Sequence, residues 1–266
     1  MSIYYDTVLT VAGSDSSGGA GVQADIKSIS ACGGYAACVI TACTAQNTSG
    51  VTDIHSLPPS HVSKQLDAVL SDMAFGSVKI GMLYSCEIIK EVHSMLLKYH
   101  VKNIVLDPVM IATSGDKLMN DNAVDSLKDF LSYVTLFTPN IPEAELLLGE
   151  HIELTNMKNS AKKLSEKYHT SVLIKGGHLE LKEEMTDILY NYATKETTVI
   201  HNPYIETRNT HGTGCTLSSS IATFLSKGCT LEEAVSKGCA YLNEAILKGK
   251  DKIIGHGHGG VNHFGL

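Results

Sequence analysis

The sequence predicts an α/β fold with a mostly parallel central sheet and helices on both faces. Two observations carry that expectation. Short apolar runs alternate with amphipathic segments almost throughout, the pattern of strands that are each followed by a covering helix. The apolar runs also end in glycine and polar residues, as strands do when they feed ligand-binding loops on the rim of an open sheet. No low-complexity linker or sequence repeat breaks the pattern, so residues 1–266 read as one domain.

The elements follow in order. TVLTVAG (7–13) reads as a strand, and Val22, Ile26 and Ile29 in the next segment keep helical spacing. YAACVITACTAQ (35–46) is again strand-like, while Val62, Leu66, Val69 and Met73 mark one helix face. SVKIGML (77–83) is a strand, CEIIKEVHSMLLKYH a helix, and NIVLDPVM a strand that ends at Asp107 and Pro108. A helix near 122–133, strand TLFTPN, a short helix from Pro142, a helix near 160–168 and strand SVLIKGG come next. Residues 185–205 read as two short strands that can pair antiparallel. A helix runs from Cys215 to about Lys227, and Thr230-Leu-Glu-Glu233 is a capping-box signature for the last one.

Composition limits the function classes. The chain has 266 residues, 43% hydrophobic and 18% charged, which is enough for a large buried core. A net charge of −7 argues against a broad nucleic-acid or membrane surface, and no apolar window reaches a membrane span. The seven cysteines include no CxxC pair, and several lie in apolar runs. Together with a start that lacks a basic, apolar leader, they suggest free thiols in the reducing cytoplasm.

Several residues at the strand ends carry chemistry. Lys175 sits beside two glycines, where it could contact a phosphate or simply solvate a turn. Asp107 before a proline either starts a turn or helps hold Mg²⁺ through water. Asn140 and Glu143 read as a helix cap and first-turn acid, or as residues that orient metal-bound water. The carboxamide of Gln46 suits the edge of a nitrogen heterocycle. Met82 and Val109 read as core or pocket wall. GSDSSGGAG (13–21) follows a strand but lacks the Lys-Ser/Thr of a Walker loop, and GHGHGG (255–260) lacks the strand and helix of a dinucleotide fingerprint. The tail histidines His256, His258 and His263 could bind zinc. With no partner at metal spacing, a glycine-rich loop closing over a ligand fits better.

NTHGTGCTLSSSIA (209–222) reads as a tight loop opening onto a helix, and a helix N-terminus is a ready anion site. A thiol there has its pKa lowered, so Cys215 is expected to be partly thiolate near neutral pH: a nucleophile, redox thiol or general base. His211 is the one histidine close to it in sequence. The plainer reading is a small residue packed at a helix start.

AGSDSSGGAGVQADIK, TACTAQNTSGV, VKIGML, LDPVMIATSGDKL, TPNIPEAELL, LIKGGH, NTHGTGCTLSSSIA and GHGHGGVNHF occur in this order from residue 12 to the end. Together they closely resemble the hydroxymethylpyrimidine/phosphomethylpyrimidine kinases of thiamin biosynthesis, within the ribokinase superfamily. The resemblance implies a ribokinase-like fold and a Walker-less kinase that uses ATP and Mg²⁺ on a small pyrimidine, usually as a homodimer. It implies an anion hole from Gly212 to Cys215, with Gly214 inside it and Thr210 and Thr213 near the nucleotide. Cys215 would accept the substrate hydroxyl proton or position that hydroxyl. Gln46 resembles the pyrimidine-reading amide, and Ala20, Asp25, Met82 and Val109 match substrate-pocket positions. Lys175 matches the ATP-phosphate lysine, and Asp107, Asn140 and Glu143 the Mg²⁺–phosphate neighbourhood.

Two departures bear on the reading. Gly260 stands where the family tail usually has proline. Relatives that phosphorylate pyridoxal carry a second cysteine shortly after DPVM, and Ala112 is the equivalent here. A pyridoxal kinase is thus the runner-up. A dinucleotide oxidoreductase lacks its fingerprint, and a non-catalytic binding protein is disfavoured by the intact GTGC loop and Lys175.

Overall fold

The computed structural model describes residues 4–110, 123–177 and 184–265. Ala112 lies outside the described residues. The strands are β1 (Thr7–Asp15), β2 (Tyr35–Asn47), β3 (Gly50–Ser56), β4 (Ser77–Ile80), β5 (Ile104–Leu106), β6 (Leu136–Phe137), β7 (Ser171–Ile174), β8 (Glu184–Tyr190) and β9 (Thr197–Pro203). The helices are α1 (Gly21–Ala31), α2 (Pro59–Leu70), α3 (Cys86–Lys98), α4 (Ala123–Leu131), α5 (Ile141–Leu148), α6 (Met157–Tyr168), α7 (Thr213–Ser226) and α8 (Leu231–Gly249).

The described strands form one sheet in the order β3-β2-β1-β4-β5-β6-β7-β8-β9. Neighbours from β2 to β7 run parallel, while β3, β8 and β9 add antiparallel edges. The expected α/β sheet is therefore present, and residues 185–205 do pair antiparallel. Strand β3 was not anticipated: VTDIHS has too few apolar residues to stand out, and it pairs at the sheet edge, half exposed.

Successive strand residues point to opposite faces, and each face has its own core. Leu9, Val78, Ile104, Phe137, Val172 and Ile174 pack under α2 to α6. Val8, Val105, Leu136 and Leu173 pack under α1, α7 and α8, against Ile29, Leu217, Ile221 and Val235. Each fully buried Leu, Ile or Phe contributes about 1.5–3 kcal/mol relative to exposure. Strand order reverses at β1, which pairs β2 on one side and β4 on the other. That is the topological switch where a crevice opens beyond the carboxyl ends of the strands.

Helix boundaries follow local chemistry. Asn140 and Glu143 form a full capping box on α5, and Thr230 and Glu233 form the expected one on α8. Helix α6 begins at Met157, earlier than its apolar periodicity suggested. Helix α7 starts differently. Its N-cap is Gly212 at φ 80°, with no side-chain cap. A Cβ at Gly212 would lie 1.9 Å from the Gly19 carbonyl oxygen, so glycine is required there on both counts.

Candidate active site

A cavity of about 620 Å³ opens at the carboxyl ends of the strands. Its walls come from Ala12 to Asp15 at the end of β1, Thr44 and Gln46 on β2, Met82 after β4 and Asp107 after β5. Asn140 after β6, Lys175 after β7 and the loop that opens α7 complete it. Gln46, Ala20, Met82, Val109, Lys175, Thr210, Gly212, Thr213, Gly214, Cys215, Asp107, Asn140 and Glu143 all line this one cavity.

Asp25 is the exception among the candidates. It is fully buried beneath the site and does not line the cavity. Lys79 Nζ lies 2.8 Å from both of its oxygens, Thr10 Oγ1 donates at 2.6 Å and Ser219 Oγ at 2.7 Å. Its carboxylate is committed to tying β1, α1, β4 and α7 together. Lys79 is likewise fully buried, with burial opposing its charge and Asp25 holding its pKa above the ordinary lysine value. A lysine inside an apolar strand carried no sequence signal of that pairing.

In the loop that opens α7, Thr213 N–H bonds Thr210 O and Thr216 N–H bonds Gly212 O. The N–H groups of Gly214 and Cys215 take no backbone carbonyl partner among the described residues. They sit at the positive end of a 14-residue helix, on the cavity wall. Cys215 itself departs from expectation. Burial pushes its thiol up to about 11, although Lys79 and the Gly21 N–H pull the other way. The dipole effect loses to desolvation here, so the resting residue is a thiol rather than a thiolate. Nor is His211 its partner: the histidine turns to Asp15.

Lys175 Nζ donates to Asp107 Oδ1 at 2.7 Å, and Thr138 Oγ1 donates to the same oxygen at 3.2 Å. Burial works against the lysine's charge, but Asp107 and Glu143 keep its pKa raised. Glu143 is pushed up to about 7 by burial, with Lys175 opposing and Asp107 adding to the shift. Both carboxyls and the Asn140 amide are oxygen donors, the kind of set that suits a hard cation. Among the described residues no group of three or more His, Cys, Asp or Glu is placed to hold a metal.

Asp15 was legible only as a strand end, yet it organises the first loop. It accepts from Ser17 N and Oγ, Gly19 N and Ala20 N, and His211 Nε2 donates to Oδ2 at 2.8 Å. Burial opposes its ionisation, but His211, Ser17 and Ala20 hold it down at about 2. An ionised carboxylate only accepts, so the His211 Nε2 proton belongs to this bond. Gln46 Oε1 accepts from Thr44 Oγ1 at 2.9 Å, and its Nε2 lies 3.4 Å from His211 Nε2. Two donors do not bond, so among the described residues no acceptor takes up the Gln46 amide hydrogens. The signal for Asp15 was the run of small residues after it, whose N–H groups an aspartate can gather.

The tail does not line the cavity. Gly257 N–H and His258 N–H bond Thr48, and His211 N–H bonds the Gly259 carbonyl. His263 is buried against Thr216 and held neutral, its pKa pushed by burial to about 4. The three tail histidines therefore form no zinc site among the described residues.

A family model described as phosphomethylpyrimidine kinase matches residues 15–262. A hydroxymethylpyrimidine/phosphomethylpyrimidine kinase of Rhizobium meliloti is 46% identical over 96% of this chain and 96% of its own length. The chain spans about half the length of other curated relatives it matches, such as a thiamine biosynthesis bifunctional protein of Geobacter sulfurreducens, 47% identical over 97% of this chain and 52% of that protein. Among solved structures, a phosphomethylpyrimidine kinase from Clostridium difficile has TM-score 0.79 and 42% identity, covering 90% of this chain and 99% of its own. A pyridoxal kinase from Staphylococcus aureus, in complex with AMP-PCP and pyridoxal, has TM-score 0.87 and 29% identity, covering 99% and 95%.

Proposed function

The chain belongs to the phosphomethylpyrimidine kinase family, and from that premise we propose that it moves the ATP γ-phosphoryl group onto 4-amino-5-hydroxymethyl-2-methylpyrimidine, then onto the resulting monophosphate. It works in thiamin biosynthesis, as a single cytoplasmic domain that pairs as a homodimer by family analogy. Among the described residues no helix is long and apolar enough to cross a membrane. The single observation that carries the reading is the convergence of Gln46, Lys175, Asp107 and the Gly212–Cys215 loop on one cavity.

The pyrimidine binds beside Met82 and Val109, with Gln46 reading its polar edge and Ala20 closing the pocket. The ATP phosphates reach Lys175, Thr210 and Thr213. The Gly214 and Cys215 N–H groups stabilise charge on the phosphoryl group in flight, where fixed donors are worth most. In the first transfer the substrate hydroxyl oxygen bonds phosphorus, the bond to ADP breaks, and the hydroxyl proton passes to solvent water. Cys215, resting as a thiol, positions that hydroxyl; proton loss comes late, once the oxygen is bonded to phosphorus. The second transfer starts from an ionised phosphate and needs no base.

Mg²⁺ fits the donor set. Asp107, Glu143 and Asn140 offer oxygens only, and Mg²⁺ commonly uses one or two carboxylates, waters and substrate phosphates. When bound it would neutralise phosphate charge. Lys175 keeps Asp107 in place for that role through their 2.7 Å bond.

The test is substrate-dependent ADP release with MgATP, across hydroxymethylpyrimidine, its monophosphate and pyridoxal. Turnover with both pyrimidines supports the reading. Turnover with pyridoxal alone overturns it.

A further inference from the structure

Asp187 is a buried acid that the mechanism above leaves without a task. It lies on β8, is 9% exposed, and forms part of the cavity wall beside Lys175 and Gly177. Its Oδ1 accepts the Gly176 N–H at 2.8 Å. Its Oδ2 accepts from Asn202 Nδ2 at 3.3 Å and faces Cys239 Sγ at 3.9 Å. Strand β9 and helix α8 thus fix one oxygen, and the turn after β7 hangs from the other.

That turn carries Lys175. The lysine's own N–H bonds the Pro139 carbonyl at 2.9 Å, and the next N–H along the chain is the one Asp187 holds. The backbone on both sides of the Lys175 Cα is therefore pinned. The turn is also pressed onto β8: a Cβ at Gly176 would lie 1.9 Å from the Thr186 carbonyl oxygen. Without the Asp187 acceptor, a buried N–H would lose its partner and the turn would have to lift off the strand.

We propose that Asp187 is a positioning residue for nucleotide binding, which aims Lys175 at the ATP phosphates by holding the Gly176 N–H. The proposal rests on the functional reading above, in which Lys175 meets those phosphates. Its action is specific to the nucleotide end of the cavity, because Gln46 and Met82 are carried on β2 and after β4, which Asp187 does not touch.

The test uses the full chain with Asp187→Asn, Asp187→Glu and Asp187→Leu. It measures KM for ATP and for hydroxymethylpyrimidine, kcat, melting temperature, and the Kd of a non-hydrolysable ATP analogue by calorimetry. Asp187→Asn keeps an acceptor for Gly176 and is expected to stay within about threefold of the parent. Asp187→Leu removes the acceptor and is expected to raise the ATP KM and the analogue Kd about tenfold or more, with the pyrimidine KM unchanged. If the leucine variant does not fold, Asp187→Glu, one methylene longer, is expected to show the same ATP-selective rise. An unchanged ATP KM in the folded Leu or Glu variant overturns the proposal, as does an equal rise for both substrates. Analogue binding separates this from the reading it rests on. A parent protein that binds the analogue but turns over no pyrimidine sinks the pyrimidine reading alone.

Discussion

Gly214 faces the Asp107 carboxylate so closely that a Cβ built on it would lie 2.8 Å from Oδ2 and 3.4 Å from Lys175 Nζ. The first turn of α7 and the acid at the end of β5 thus meet with no room for a side chain. Asp107 cannot retreat, because it is buried and held by Lys175 and Thr138. Gly214→Ala is expected to displace the loop N–H groups and cost about 10²–10³ in kcat, the scale of losing an oxyanion-type donor, and to lower stability by about 1–3 kcal/mol through overpacking against the fixed carboxylate. Steady-state kinetics beside a thermal melt checks it. A fully active alanine variant removes the loop from the phosphoryl site.

The Cys215 thiol is expected to matter for one transfer more than the other. Only the first transfer begins from a neutral hydroxyl that must be positioned and stripped of its proton. Cys215→Ser should slow phosphorylation of hydroxymethylpyrimidine much more than phosphorylation of its monophosphate. Separate rate measurements on the two substrates decide the matter. Equal losses would leave the cysteine a packing role at a helix start.

Gln46 offers amide hydrogens at the cavity wall that no acceptor among the described residues takes up. Gln46→Leu would strand the polar edge of a bound heterocycle, a loss of about 1–3 kcal/mol in kcat/KM for the pyrimidine. The ATP KM should hold. Unchanged pyrimidine kinetics would take Gln46 out of the specificity pocket.

Glu143 predicts a pH dependence whose sign is opposite to that of a paired surface acid. Burial raises its pKa to about 7 in the folded chain, so the folded state holds a proton that the unfolded state has released. Between the ordinary glutamate value and pH 7, stability therefore falls as pH rises. His263, held at about 4, pulls the other way between pH 4 and 6.5, because the unfolded chain there binds the extra proton. The clean measurement is a difference. The stability of Glu143→Gln minus that of the parent, from urea melts between pH 5 and 8 without nucleotide, should rise with pH. A flat difference would show that Glu143 is ionised throughout.

The alternation of strands and helices was legible because each central strand buries both faces and each helix one. The capping boxes at Asn140 and Thr230 were legible because they are local. Gln46, Met82, Asp107, Asn140 and Lys175 were legible at strand ends, where topology alone sends ligands. What escaped were pairings across long stretches of sequence. The family resemblance puts Asp25 among the substrate-pocket positions, but its side chain on α1 is buried against Lys79. Cys215 was expected to ionise because its helix position is visible in sequence, whereas the burial that raises its pKa is a product of tertiary packing. Strand β3 is amphipathic only weakly, since an edge strand has little to bury.

The Asp15–His211 bond joins residues 196 positions apart. Closing so long a loop costs chain entropy that local contacts cannot offset early in folding. During synthesis the first loop, the amide at Gln46 and the carboxylate at Asp107 all emerge well before α7 does. A nascent chain can lay down most of its parallel sheet and still lack the cavity wall that α7 supplies. Phosphoryl transfer is thus among the last properties the polypeptide acquires, and among the first it loses when α7 and the segment before it detach.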